Sequence, residues 1–420
     1  MTGAEPMTLG ELKRRMQENR IRLWVAEGEL RYAAPQGSMT AVLRSALGHH
    51  KAVLIGELTQ AAPLLTAQPH ARHEPYPMTD LQQAYWVGEH GGYAQSAIPC
   101  FFHHCRFDAI EPETVQVALH HLQRRHEALT ARFLPSGEQV IPPPGENSCT
   151  LSVVDLRMSD PEEAASRLDA LCESYPETLP SLENGPPLAA TLVRLEGSDR
   201  LLIAFRLIAI DGPSLAMIFR DLLRYLFDDI AREEPPPSLS HRDYVLALQG
   251  AASAESIAYW DKTLPTLPGP PDLPATGETP LWSAFHRLAG KLDAERWQRL
   301  KSRAAEQGVT ANAAMLALYA AALRPFATNP DFTLNVLANY RPFQHPELSL
   351  MTGNCSNTTL IDCTGTGAFA DQARRLQALM AERLAHASVS GVSLIRRLQL
   401  AAGAETPAAP FVFTSGISSG

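Results

Sequence analysis

Apolar residues recur at two periods along this chain, and the places where the period changes divide it. Met7 to Gln17 has helical spacing, Ile21–Ala26 and Glu29–Ala34 read as strands around Glu27 and Gly28, and Pro35 to Ser38 marks a loop. Two short helical stretches follow, with Met39, Val42, Leu43 and Leu47, then Val53, Leu54 and Leu58, placed to cover that small sheet. This gives a module of about 55 residues, near the lower limit for folding alone. Thr59 to Pro75 is rich in Ala, Pro and His and has no period, which predicts a linker.

From Tyr76 the pattern is mixed. Glu113–Arg125 carries Val115, Ala118, Leu119 and Leu122 at helical spacing, and Leu188–Leu195 with Arg200–Ile210 reads as an antiparallel pair whose second strand is apolar enough to be central. Asp211-Gly-Pro-Ser214 then opens a helix, with Ser214 placed as its N-cap and Leu215, Ile218, Leu222 and Leu226 inside. The proline-rich run Leu264–Pro274 can be neither a continuous helix nor a central strand, because proline removes backbone donors, so it reads as a connector between lobes. Beyond it come helices at Asp293–Glu306, closed by Gly308, and Ala311–Arg324, capped by Thr310 and ended by Pro325. Strands at Phe332–Asn339, Thr358–Ile361 and Phe411–Thr414 and a helix at Phe369–Ala385 make a second unit. The fold class is α/β (α+β).

Composition narrows the function classes. The 420 residues exceed the length of one ordinary domain, and 45% hydrophobic with 19% charged residues is a globular balance. A net charge of −9 without a run of basic residues leaves nothing to neutralise a phosphate backbone, so no nucleic-acid partner is expected. The longest apolar stretch, Ala311–Leu323, is short of a membrane span, and no leader pattern opens the chain, so a soluble cytoplasmic protein with no membrane partner is expected. Six cysteines without a CxxC pair predict free thiols and no structural zinc. The pairs His49-His50, His103-His104 and His120-His121 lack carboxylate or Cys spacing for ligation, so no metal is expected. His126 reads as a helix C-terminal residue favoured by the dipole rather than as a base.

Several stretches together resemble a family. Tyr76-Pro-Met-Thr-Asp-Leu-Gln-Gln-Ala-Tyr-Trp-Val-Gly88, Arg125-His-Glu-Ala-Leu-Thr-Ala-Arg-Phe133, Tyr259-Trp-Asp-Lys-Thr-Leu-Pro-Thr-Leu-Pro268, Phe332-Thr-Leu-Asn335 and Asn339-Tyr-Arg-Pro342 are similar, in this order, to the heterocyclization branch of nonribosomal peptide synthetase condensation domains. The resemblance covers about residues 76–420. Residues 7–58 resemble a tubulysin-type N-terminal docking domain, through Ile21-Arg-Leu-Trp24 and Leu30-Arg-Tyr-Ala-Ala-Pro35, with Ile21, Leu23, Trp24, Leu30 and Tyr32 as the docking residues. The implied architecture is a small ααβ-type docking domain (1–58), a linker (59–75), and two chloramphenicol-acetyltransferase-like lobes in a V (76–255 and 256–420). The implied chemistry joins two thioesters presented on the phosphopantetheine arms of carrier proteins, with no bound cofactor. The side chain of the acceptor residue then closes a ring with loss of water. The implied partners are the C-terminus of an upstream synthase and peptidyl or acyl carrier proteins.

The family's reactive positions fall on a mixture of matches and departures. Its Asp-x4-Asp-x2-Ser signature reads here as Arg206 to Ser214, with Asp211 and Ser214 kept and the first acid replaced by the cation of Arg206. Its Asp-Phe-Thr-Ser stretch reads Asn354-Cys355-Ser356-Asn357, where Ser356 supplies a hydroxyl, and its cyclodehydration carboxylate falls on Ala385, which has none. A complete member also continues for several dozen residues past Phe411-Val-Phe-Thr-Ser415, so a truncated chain or a reduced lobe is expected, with apolar surface left uncovered.

Each position also has a plainer reading. Asp211, at a strand end, is expected to cap the following turn or to pair with an arginine, with Arg341 as the candidate partner, and an N-cap role alone accounts for Ser214. Arg206 lies five residues before Asp211, on the opposite face of a straight strand, where it is either solvated or recognises an anion. Cys355 stands as a candidate thiol. Two functions remain open. One is amide formation between carrier-bound thioesters, with Asp211, Ser214 and Ser356 as the polar groups and no cyclodehydration base. The other is a catalytically silent docking and gating scaffold.

Overall fold

A computed structural model of the chain describes residues 7–19, 21–26, 29–34, 38–60, 64–90, 98–228, 234–274, 288–403 and 408–417. The Glu27-Gly28 turn, the Pro35–Gly37 part of the first loop and the side chains of Trp24 and Leu58 lie outside the described set. The N-terminal unit runs α1 (Leu9–Glu18), β1 (Arg22–Ala26), β2 (Glu29–Ala33), α2 (Ala41–His49) and α3 (Lys51–Gln60), with β1 and β2 antiparallel in the register Leu23↔Tyr32. Its core is Leu12, Met16, Ile21, Leu43, Ala46, Leu47 and Leu54. Val42 and Val53, expected to cover the sheet, are instead exposed. Consecutive helical residues point about 100° apart, so the arc that buries Leu43, Ala46 and Leu47 turns Val42 outward.

The stretch read as a linker is seated on the body of the protein. Leu65 is buried and its N–H donates to Gln344 O at 2.9 Å, while the Arg72 guanidinium donates to Pro237 O and Ser238 O at 2.6 and 2.8 Å. Thr59 and Gln60, read as the start of this stretch, belong to the end of α3, and Pro69–Ala71 forms a single 3-10 turn.

The first lobe comprises β3 (Tyr76–Pro77), α4 (Asp80–His90), β4 (Cys100–Phe107), α5 (Pro112–Arg125), β5 (Arg132–Phe133), β6 (Glu138–Val140), β7 (Ser152–Asp155), α6 (Pro161–Ser174), β8 (Leu188–Leu195), β9 (Ser198–Arg206), α7 (Gly212–Phe227) and α8 (His241–Leu248). Its main sheet has the order β4-β9-β8-β7, antiparallel except for the parallel β7–β8 pair. Strand β9 is apolar without alternation because both faces are covered. Leu201, Ile203 and Phe205 pack with residues of α5 and α7, and Leu202 and Ala204 pack on the other side with Leu156, Ala164 and Tyr175. The strand ends at Arg206, four residues before the expected Ile210, and Leu207–Ala209 forms a turn.

Helix α9 (Ala254–Thr263) and the proline-rich run lead into the second lobe: α10 (Ala294–Glu306), α11 (Ala311–Leu323), β10 (Phe332–Asn339), β11 (Ser356–Cys363), α12 (Phe369–Ala385), α13 (Gly391–Ala402) and β12 (Val412–Phe413). Strand β10 is central, antiparallel to β11 and parallel to β12. Leu334, Val336, Ile361 and Cys363 pack against Leu316, Ala317 and Leu376 of the helices. The proline-rich run lies beside β10, where Gly269 O accepts from Thr333 N at 2.8 Å. Trp260 of α9 is fully buried with Leu360, Leu394 and Ala409, and its indole N–H donates to His386 O at 3.1 Å, so this helix packs with the second lobe.

Candidate functional site

The two lobes meet where β9 gives way to α7. Asp211, not Ser214, is the N-cap of α7: its Oδ1 accepts from Ser214 N at 2.9 Å, because the helix begins at Gly212 and Pro213 occupies its first turn without needing a donor partner. The other oxygen of Asp211 reaches across the junction. It accepts from Asn339 Nδ2 at 2.7 Å and Cys355 N at 3.2 Å, and pairs with the Arg341 guanidinium at 3.4 Å. Ser214, completely buried inside the helix, donates from Oγ to Gly353 O at 3.0 Å and accepts from Gly353 N at 3.1 Å.

These bonds fix the course of residues 353–356. Asn354 donates from Nδ2 to Leu207 O at 2.6 Å and its Oδ1 accepts from Ser356 N at 3.0 Å. The segment is held from below by His241, whose Nε2 lies 3.2 Å from Asn354 O and whose Nδ1 lies 3.2 Å from Tyr76 Oη. A carbonyl accepts only, so Nε2 carries the proton and Nδ1 accepts from the tyrosine. Burial pushes the His241 pKa down to about 4, with the Asn354 carbonyl opposing it, so the ring is neutral. A side chain at Gly353 would strike that ring. None of His241, Tyr76 or Gly353 stands out in the sequence as a functional residue.

Arg206 is neither solvated nor free to recognise an anion. It is 2% exposed, forms an ion pair with Glu89 of α4, and donates to Leu179 O at 3.4 Å and Pro180 O at 2.7 Å. The strand ends at this residue, so simple two-residue alternation does not carry its direction over to Asp211. Cys355 is buried, and burial pushes its thiol up to about 12, so it stays protonated rather than acting as a thiolate nucleophile.

Between the lobes lies a cavity of about 300 Å³, bounded by the start of α4, by Tyr244 and Leu248 of α8, by Ser356 and by residues 387–390. Of the three polar groups expected to act, only Ser356 lines it. Asp211 and Ser214 are consumed by the junction behind the wall. Ala385 is the exposed last residue of α12 and does not line the cavity, whose surface here is Ala387, Ser388 and Ser390. A larger groove of about 770 Å³, between α10, α11 and α12, contains none of the expected site residues. Among the described residues there is no group of three or more His, Cys, Asp or Glu able to hold a metal, and no helix long and apolar enough to cross a membrane.

In the N-terminal unit Ile21 is buried, and Leu23, Leu30 and Tyr32 are half-buried against the same core, so part of each serves the packing of the unit itself. Strand β2 also touches α12 of the second lobe.

Comparison with known proteins agrees with this architecture. A condensation-domain profile matches residues 72–412, and a TubC N-terminal docking-domain profile matches residues 11–60. The chain is 29% identical over 98% of its length to pyochelin synthetase PchF of Pseudomonas aeruginosa, covering 23% of that protein, and 29% identical over 87% of its length to phenyloxazoline synthase MbtB of Mycobacterium tuberculosis, covering 27%. It therefore spans about a quarter of the length of these relatives. The cyclization-docking bidomain of EpoB from Sorangium cellulosum superposes with a TM-score of 0.85 at 28% identity, over 98% of this chain and 84% of that one. With both profiles in the expected order and a cyclization-docking bidomain as structural counterpart, the chain belongs to the condensation-domain family of nonribosomal peptide synthetases, in its heterocyclization-type branch, with a TubC-type docking domain at its N-terminal end.

Proposed function

We propose that this chain forms an amide between two carrier-held thioesters and stops at the open amide. The inter-lobe cavity carries the reading. It is lined by Ser356 and walled by elements of both lobes, an enclosure suited to positioning two tethered reactants. The Asp211–Arg341–Asn339 junction holds the Ser356 loop against the first lobe, so Asp211 and Ser214 act by placing that loop. Ring closure with loss of water needs a carboxylate where this chain has Ala385. The substrates arrive on phosphopantetheine arms of peptidyl or acyl carriers, no cofactor is bound, and residues 11–60 recruit the C-terminus of an upstream synthase.

A scaffold without chemistry is favoured by one observation: the two signature positions, Arg206 and Asp211, are both spent on structural ion pairs. Mass spectrometry of acyl- and cysteinyl-, seryl- or threonyl-loaded carriers after incubation with the chain separates the cases. Transfer without loss of water is expected. Transfer with loss of one water would overturn the open-amide product, and carrier binding without transfer would establish the scaffold.

A further inference from the structure

Charge is sparse along the described lining of the inter-lobe cavity. Among the described residues that line it, Asp80 is the only carboxylate, and none is a histidine, lysine, arginine or cysteine. Tyr244 and Tyr340 are present as phenols whose ionisation burial opposes, so neither supplies a base. Asp80 is the first residue of α4, a position where a carboxylate commonly serves the helix end, but here that duty is met by its neighbours. Gln82 N donates to Thr79 Oγ1 at 3.2 Å and Thr79 N donates to Gln82 Oε1 at 3.0 Å, a reciprocal capping box.

The Asp80 side chain instead turns toward the second lobe. Its Oδ2 accepts from Ser390 Oγ, and Ser390 in turn caps α13 by accepting from Ser393 N at 3.1 Å. No other hydrogen bond to the Asp80 carboxylate is seen among the described residues, which leaves Oδ1 open. Asp211 is the opposite case, with both oxygens bonded behind the cavity wall.

We propose that Asp80 is the general base of the condensation step, oriented by Ser390 from the facing lobe. This rests on the reading of the chain as an amide-forming domain. The acceptor amine nitrogen forms a C–N bond to the donor thioester carbonyl, and its surplus proton passes to Asp80 Oδ1. As the C–S bond breaks, the carboxylic acid returns that proton to the departing thiolate, giving an amide and a free phosphopantetheine thiol and regenerating the carboxylate. No oxidant or metal enters the balance.

The test uses the full chain with two loaded carriers and compares wild type with Asp80→Asn, Asp80→Glu and Ser390→Ala. Asp80→Asn preserves shape and can still bond Ser390. It is expected to lower kcat about 10²- to 10⁴-fold with KM for the acceptor carrier and thermal unfolding unchanged. Asp80→Glu restores part of the rate, and Ser390→Ala, which leaves the carboxylate but loosens it, costs about tenfold or less. If wild type forms amide and Asp80→Asn stays within threefold of it, the assignment is overturned while the condensing function stands. The assignment also fails if Asp80→Asn and Ser390→Ala raise KM and lower stability alike, since Asp80 would then be a clamp between lobes. If wild type forms no amide in the same assay, the condensing function falls and the assignment with it.

Discussion

Removing the Asp211 carboxylate should destabilise the whole lobe junction rather than one helix end. In Asp211→Ala the α7 cap is lost, and Asn339 Nδ2, Cys355 N and the Arg341 guanidinium all lose their acceptor at a site where Asp211 is 4% exposed. An N-cap alone contributes about 1 kcal/mol. Stripping one partner from a buried ion pair costs about 3–5 kcal/mol, because the remaining charge is left uncompensated. The groups share one oxygen pair, so these figures overlap, and a total of about 3–5 kcal/mol is expected. Asp211→Asn keeps an acceptor for Ser214 N but turns an amide toward other donors, so it should cost about 1 kcal/mol less than the alanine variant. Urea unfolding followed by tryptophan fluorescence measures both, and the Asp211→Ala/Arg341→Ala cycle isolates the pair. A cost below about 1 kcal/mol for Asp211→Ala, or additive single variants in the cycle, would refute the view that this carboxylate joins the lobes.

Three further outcomes are expected. Arg206→Asp, which restores the family's acid, places a carboxylate against Glu89 and the carbonyls of Leu179 and Pro180, so it should cost about 3–5 kcal/mol and gain no cyclized product. Adding Glu89→Arg should recover part of the loss in thermal melts, and a stable, cyclizing Arg206→Asp single variant would contradict the geometry. His241 is protonated in the unfolded chain near pH 6.5 but only near pH 4 when folded, so its contribution is complete above pH 6.5 and is lost as pH falls to 4. Those two values correspond to about 3 kcal/mol, so the stability advantage of wild type over His241→Gln should shrink by about that amount between pH 6.5 and 4. Glu127, pushed up to about 7 by burial against the pull of Arg72, runs the other way, losing its contribution as pH rises from about 4.3 to 7, and it cancels in that comparison. Ile21→Ala removes a side chain from the docking-domain core at a cost of about 2–5 kcal/mol. For the residues 11–60 unit, whose whole stability is roughly 3–8 kcal/mol, amide exchange should rise across that unit and leave β8 and β9 protected.

Much of the architecture was written in the sequence, because short-range physics sets it. The helix at Phe369–Ala385 and the strand at Phe332–Asn339 have the bounds that their periodicity predicts, and Thr310 caps α11 as its position suggests, while Asp293, expected inside α10, is its N-cap. The apolar run of β9 already implied a central strand, and it lies between β4 and β8. Order and type of motifs placed the chain in its family.

The site was another matter, since what a polar residue does depends on partners far away in sequence. Ser214 is not the N-cap, because Gly212 and Pro213 form the first helical turn, and Asp211 both caps that helix and pairs with Arg341. Arg206 reads as a departure from a catalytic motif until Glu89, 117 positions earlier, is brought beside it. His241 has no local signature, and its importance comes from the Asn354 carbonyl and Tyr76 hydroxyl on either side of its ring. Asp80 sat in view within a Thr-Asp-Leu-Gln capping pattern. Local sequence determined that the helix starts there and that the cap is Thr79, whereas only the packing of α4 against α13 decided that the unused carboxylate faces a cavity shared by both lobes.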